Sequence, residues 1–161
     1  MKLLAVFLLF FSMMAKSSGD QRVVLLQRFN CCPSGWTPIN GRCFRYVAKP
    51  MAWIDAEKNC LSMGANLASV HNMQEYHQVQ ALITAASRGS GLTWLGGSDA
   101  QKDRTWLWSD GSPMLYKNWC KGEPNNWKGR QPCLQMNFSG KRKYHNLGCS
   151  GPKPSVCAKK L

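Results

Sequence analysis

Eight cysteines, at positions 31, 32, 43, 60, 120, 133, 149 and 157, constrain this chain more than any other feature. They follow a stretch with the marks of an export leader: Lys2, the apolar run from Leu3 to Phe11, and the small residues Ser17-Ser18-Gly19. That run is too short to cross a bilayer, and no second one follows. An even set of cysteines in an exported chain predicts a disulfide framework. The rival, a structural zinc site, needs Cys or His clustered at short spacing. No Cys-x-x-Cys occurs, and His71, His77 and His145 are dispersed. Residues 1–19 are therefore read as a signal peptide, 20–31 as a short N-terminal segment and 32–161 as one secreted, extracellular domain.

Within that domain the hydrophobic pattern changes period several times. Arg42 to Val47 has the aromatic and β-branched content of a strand. Met51 to Met63 places Trp53, Ala56, Cys60 and Leu61 at helical spacing, and Gly64-Ala65-Asn66 stops it. A second helix is expected from Asn72, where Glu75 completes a capping-box pattern, through Tyr76, Val79, Leu82 and Ile83 to about Ala86. Thr93 to Gly96, Thr105 to Trp108, Cys133 to Asn137, Lys143 to Leu147 and Ser155 to Ala158 read as short strands. Trp94, Trp106 and Trp108 are read as core aromatics. The order of elements predicts an α+β domain with two helices and small antiparallel sheets, stabilised by disulfides.

From Gly111 to Pro132 no period is sustained, and irregular excursions of that length in a compact domain are usually functional or disordered. This loop carries Glu123-Pro124-Asn125, followed by Trp127. A carboxylate and a carboxamide two residues apart suit an oxygen-ligand site for Ca²⁺, and the same oxygens suit a sugar's hydroxyls. The bland alternative is an ordinary Pro-Asn turn.

Charge is concentrated in the same half. The whole chain carries +13, and from Gly111 to Leu161 ten Lys and Arg face one acid, Glu123. A solvated basic surface accounts for this, and so does attraction to polyanions such as sulfated or sialylated glycans, microbial surface polymers or acidic lipids. Nucleic acid is not expected, because no groove-reading motif is present. Nor is enzyme activity, since no Ser/His/Asp, Cys/His or paired-carboxylate constellation stands out.

Several dispersed motifs give the chain a resemblance to the C-type lectin-like domain over Cys32 to Cys157. They are Cys32-Pro-Ser-Gly-Trp36 with Cys43, Trp53-Ile-Asp-Ala-Glu-Lys-Asn-Cys60, Ala65-Asn-Leu-Ala-Ser-Val70, Trp94-Leu-Gly-Gly97, Trp106-Leu-Trp-Ser-Asp-Gly111, Glu123-Pro-Asn125 and Ser155-Val-Cys157. The chain looks most like small secreted fish lectins of the lactose-binding and ladderlectin type and the related type II antifreeze proteins. The resemblance implies pairing of Cys32 with Cys43, Cys60 with Cys157 and Cys133 with Cys149. Cys31 and Cys120 remain, to pair with each other or to link subunits of a homo-oligomer.

In such lectins the long loop and a neighbouring strand supply Ca²⁺ ligands, and Glu-Pro-Asn accompanies mannose-type sugars. Carried over, the resemblance implies Glu123, Asn125, Gln131 and Asn146 as Ca²⁺ ligands, with Glu123, Asn125, Trp127, Gln131, His145 and Asn146 around a carbohydrate. The family usually has a carboxylate where Gln131 stands, and Trp-Asn-Asp where Tyr144-His145-Asn146 stands. One acid in place of about three, with an imidazole among the ligands, argues for weak or absent Ca²⁺ binding. Asn137-Phe138-Ser139 matches the N-glycan acceptor pattern. The function implied is carbohydrate binding in mucus or plasma, as part of innate surface defence. An ice-binding or anionic-surface-binding role, or a protein-interaction module without sugar binding, is the alternative.

Overall fold

In a computed structural model of the chain, residues 31–138 and 143–161 are described; the leader and nearly all of segment 20–31 lie outside them. The unit Pro33–Lys160 has the expected α+β architecture. It opens with a hairpin of β1 (Thr37–Ile39) and β2 (Arg42–Met51), turned through Asn40-Gly41. Both turn residues have positive φ, 48° and 73°, the conformation that tight hairpins require and that Asn-Gly tolerates.

The first helix, α1 (Trp53–Ser62), buries Ala56, Glu57 and Cys60. The second, α2 (Met73–Ser87), buries Glu75, Tyr76, Val79 and Ile83 along one face. Its cap is half of the expected box. Asn72 Oδ1 accepts from the Glu75 N–H at 2.8 Å, but the Glu75 carboxylate takes the His71 N–H at 2.7 Å and Arg42 at 2.6 Å. The guanidinium thus recruits the capping acid into a tie between α2 and β2.

The remaining strands are β3 (Asn66–Leu67), β4 (Thr93–Ser98), β5 (Leu107–Trp108), β6 (Cys133–Phe138), β7 (Lys143–Leu147) and β8 (Lys153–Lys160). They form one eight-stranded sheet in the order β1-β2-β8-β4-β6-β7, with β3 on β8 and β5 on β4. Small antiparallel sheets were expected. They are fused because β4 meets β8 in parallel at Trp94 and Ser155. The other pairings are antiparallel, and β8 runs against β2 from Arg42↔Lys160 to Met51↔Lys153.

Val79 and Ile83 of α2 pack with Leu95, Leu134, Met136 and Val156 of the sheet, all fully buried. Each such side chain contributes about 1.5–3 kcal/mol by leaving water. A second cluster joins Ala56 and Cys60 of α1 to Leu67, Trp94 and Cys157. Trp94 and Trp108 are core residues as expected, at 0% and 3% exposure, whereas Trp106 is only half-buried.

Two contacts lock α1, β3, β4 and β5 together. Glu57, 7% exposed, accepts from Asn66 Nδ2 at 2.6 Å, Leu67 N at 2.7 Å and Ser109 Oγ at 3.0 Å. Beside it, a Cβ on Gly96 would lie 2.5 Å from the Leu67 carbonyl oxygen, so only glycine lets β4 approach β3 this closely.

Disulfides join Cys60 to Cys157 and Cys133 to Cys149, as the resemblance implied. Cys32 and Cys43 are also disulfide-bonded. The first of these bridges ties α1 to β8; the second fixes the start of β6 to the turn after β7.

Candidate functional site

The loop from Gly111 to Pro132 is irregular, as expected, but it is held at both ends. Its Asn118–Cys120 segment bonds to β7: Cys120 N donates to Tyr144 O and Tyr144 N donates to Asn118 O, both at 2.9 Å. The Cys120 Sγ lies 3.7 Å from the Phe138 carbonyl. Further on, a 3₁₀ turn at Trp127–Gly129 precedes Pro132 and β6. The Glu123–Pro124 bond is cis.

Five of the six sequence-nominated polar and aromatic positions, Glu123, Asn125, Gln131, His145 and Asn146, converge through their side chains. Glu123 Oε1 accepts from Asn125 Nδ2 at 2.8 Å, and Oε2 accepts from the Asn125 backbone N–H at 3.2 Å. That N–H is shared with Asn146 Oδ1 at 3.3 Å, while Asn146 Nδ2 donates to the Gln131 carbonyl at 3.2 Å. Trp127 joins through its backbone: its N–H reaches Asn125 Oδ1 at 3.0 Å and Gln131 Oε1 at 2.9 Å. Its indole is 63% exposed, with Lys128 Nζ 4.3 Å from one ring centre.

His145 closes the network from β7. Its Nε2 stands 3.3 Å from Glu123 Oε1, Nδ1 is 3.0 Å from Gln135 Nε2, and its ring stacks on Phe138 at 3.9 Å. Burial lowers the imidazole pKa below its usual 6.5 and Lys153 adds to this, against the opposing pull of the Glu123 carboxylate. The neutral ring that satisfies both contacts accepts at Nδ1 from Gln135 and donates from Nε2 to Glu123.

Exposure divides the nominated residues. Asn125 and Trp127 face solvent, Glu123 and Gln131 are half-buried, and His145 and Asn146 are buried behind them. Gln135, Phe138 and Asp103, whose Oδ1 accepts from Asn126 Nδ2 at 2.5 Å, complete the support and were not nominated from sequence. A glutamine at the centre of the apolar run Cys133–Phe138 was the available signal for one of them. Asn137 is 6% exposed and donates from Nδ2 to Gly91 O at 3.3 Å, while Ser139 of its acceptor pattern lies outside the described residues.

The residues do not fit Ca²⁺. The ion takes six to eight oxygens, preferably carboxylates. Here Glu123 is the one acid, an imidazole nitrogen faces its carboxylate, and Asn125, Gln131 and Asn146 offer only neutral amide oxygens. Among the described residues no group of three His, Cys, Asp or Glu could hold a metal. What the arrangement can do is hold a polar rim rigid at the edge of an exposed indole.

Known proteins align with this architecture. The family profile described as Lectin C-type domain matches residues 49–159. Ladderlectin of Oncorhynchus mykiss is 44% identical over 136 residues, covering 84% of this chain and 72% of its own. The galactose-specific lectin nattectin of Thalassophryne nattereri is 38% identical over 151 residues, covering 94% of each. Among solved structures, a calcium-independent type II antifreeze protein superposes with a TM-score of 0.73 at 35% identity, covering 81% of this chain and 95% of its own. No helix of the described residues is long and apolar enough to cross a membrane. With the profile spanning most of the domain and these identities over most of its length, the chain belongs to the C-type lectin domain family.

Proposed function

We propose that this protein is a secreted lectin of surface defence whose loop contacts glycans directly, without a bridging Ca²⁺. One observation carries the reading: the network of Glu123, Asn125, Gln131, His145 and Asn146 is closed by its own hydrogen bonds and leaves Asn125 and Trp127 at the surface. An asparagine amide has two N–H donors and two lone pairs, and only part of that capacity is used inside the network. The remainder suits a sugar hydroxyl. Trp127 offers an apolar face on which the C–H side of a sugar ring can rest, at small entropic cost for so rigid a side chain.

His145 and Asn146 act behind this rim. They fix the carboxylate of Glu123 and the backbone of Asn125, so the contact atoms do not need to be ordered when ligand arrives. The lectin relatives support glycans as partners, and free sugars, host mucus glycans and microbial surface polymers all present the required hydroxyls. No catalytic role is proposed, since the family is of lectin type.

The test is binding of neutral mannose- and galactose-terminated oligosaccharides at low salt, with Ca²⁺ and with EDTA. Equal binding in both conditions is expected, and Trp127→Ala should weaken it about tenfold or more, as loss of an aromatic anchor does. Absolute dependence on Ca²⁺, or no binding to any glycan, defeats the proposal. Likeness to a type II antifreeze protein favours one second reading, ice binding. Thermal hysteresis of the cooled protein distinguishes it, and the Lys121, Lys128 and Arg130 cations around the loop are ill matched to a neutral ice surface.

A further inference from the structure

A depression beside the hydrogen-bonded rim includes Pro124 in its lining. It encloses about 390 Å³ and is lined by Arg104, Trp106, Met114, Lys117, Trp119 and Pro124, with Thr105 between the first two. Trp106 and Trp119 meet edge to face at 4.8 Å and supply an aromatic wall. Neither ring is fully buried, unlike Trp94 of β4.

Two cations stand at this wall. The Arg104 side chain is 82% exposed, and its one ion pair among the described residues is a 4.0 Å contact with Asp103, 61% exposed. Lys117 is exposed on the loop opposite. Two acids stand beside Arg104: Asp103, whose Oδ1 is engaged by Asn126 Nδ2, and Asp99, whose Oδ2 accepts the Arg104 backbone N–H at 2.9 Å. The depression therefore has two solvated cationic side chains at its edge, an aromatic side and a volume that admits a small ligand.

Pro124 is common to both places. Its neighbours Glu123 and Asn125 belong to the polar rim, while its ring forms part of the depression. An oligosaccharide seated on the rim would have its next residue within reach of Arg104 and Lys117.

We infer that this depression is a subsite for an acidic sugar, carrying a carboxylate or a sulfate, adjoining the neutral-sugar rim. Arg104 presents a planar fork suited to either anion, and Lys117 adds a point charge. The aromatic wall receives the apolar face of the same sugar. This inference rests on the lectin reading above, because the subsite is useful only to a ligand already held at Asn125 and Trp127.

The experiment compares three oligosaccharides sharing one core, ending in a neutral, a sialylated or a sulfated residue, against the wild-type chain and Arg104→Gln/Lys117→Gln. Both positions are exposed, so folding should be unaffected. Wild type should bind the acidic ligands about tenfold more tightly than the neutral one at low salt. That preference should largely disappear at about 1 M salt, where screening shortens to about 3 Å. In the double variant the acidic ligands should fall to the neutral level while neutral binding stays unchanged. Preference for only the sialylated or only the sulfated ligand identifies the anion and upholds the subsite. Equal binding of neutral and acidic ligands by wild type, or a preference that survives in the variant, overturns the subsite alone. Binding of none of the three overturns the lectin reading with it.

Discussion

Replacing Glu57 with alanine should be among the most damaging single changes in the domain, although the residue is far in sequence from the loop. Its carboxylate is 7% exposed and accepts three hydrogen bonds, from Asn66 Nδ2, Leu67 N and Ser109 Oγ. Hydrogen bonds to a charged group contribute about 1.5–3 kcal/mol each. Their simple sum overstates the loss, because removing a buried carboxylate also relieves its desolvation. The buried donors left without an acceptor cost about 1–3 kcal/mol each, and a net loss of about 2–4 kcal/mol is expected for Glu57→Ala. Glu57→Gln keeps the volume and one acceptor. A carbonyl at the Oε2 position retains Leu67 N and Ser109 Oγ, and the new amide needs only a rotation of Asn66 to find an oxygen. Its expected cost is about 1–2 kcal/mol, the loss of charge assistance. Urea denaturation with the disulfides intact, followed by tryptophan fluorescence, measures both. The midpoint should shift with little change in slope, since the surface exposed on unfolding is the same. A loss below about 1 kcal/mol for alanine, or equal losses for alanine and glutamine, would refute the assignment of the carboxylate as the clamp between α1, β3 and β5.

Two further outcomes follow from the same geometry. Gly96→Ala should lower the thermal midpoint more than Gly97→Ala, by about 1–3 kcal/mol of stability or more. The new Cβ of the former meets the Leu67 backbone oxygen at 2.5 Å, whereas that of Gly97 meets side-chain carbons of Leu134 and Met114 at 2.8–2.9 Å; calorimetry giving the reverse order would contradict this. His145 should make the domain less stable in mild acid. Its folded pKa is lowered, first by burial, so the unfolded chain binds the extra proton once pH falls below about 6.5, with a slope of up to about 1.4 kcal/mol per pH unit. Urea midpoints measured between pH 7.5 and 5 should fall, and His145→Asn should flatten the curve; a His145-dependent rise on acidification would reverse the sign.

Both helices were legible in the sequence because each buries a stripe at helical spacing, Ala56 with Cys60 and Tyr76 with Val79 and Ile83. The strand β7 was legible to the residue, at Lys143–Leu147. What escaped notice was short or depended on distant partners. Strand β3 has two residues, and it exists because Leu67 pairs with Cys157. Strand β1 is three residues long, yet Asn40-Gly41 beside it is a strong hairpin signal that a search for longer apolar runs passes over. The site shows the same division. Glu123 and Asn125 could be nominated from spacing alone, and His145 and Asn146 from the family resemblance. That His145 would be held by Gln135 and stacked on Phe138 depends on the pairing of β6 with β7, which local sequence does not encode.

The two hydrogen bonds between the loop and β7 have an effect beyond placing the loop. Strand β7 ends the sheet order, and an outermost strand with bare N–H and C=O groups invites another chain to add itself. Asn118 and Cys120 take the Tyr144 backbone groups that would make that offer, and Trp119 lies alongside. The long loop is therefore also the sheath of the sheet. Damage to its first half should show itself as self-association of the protein before it shows as weaker binding.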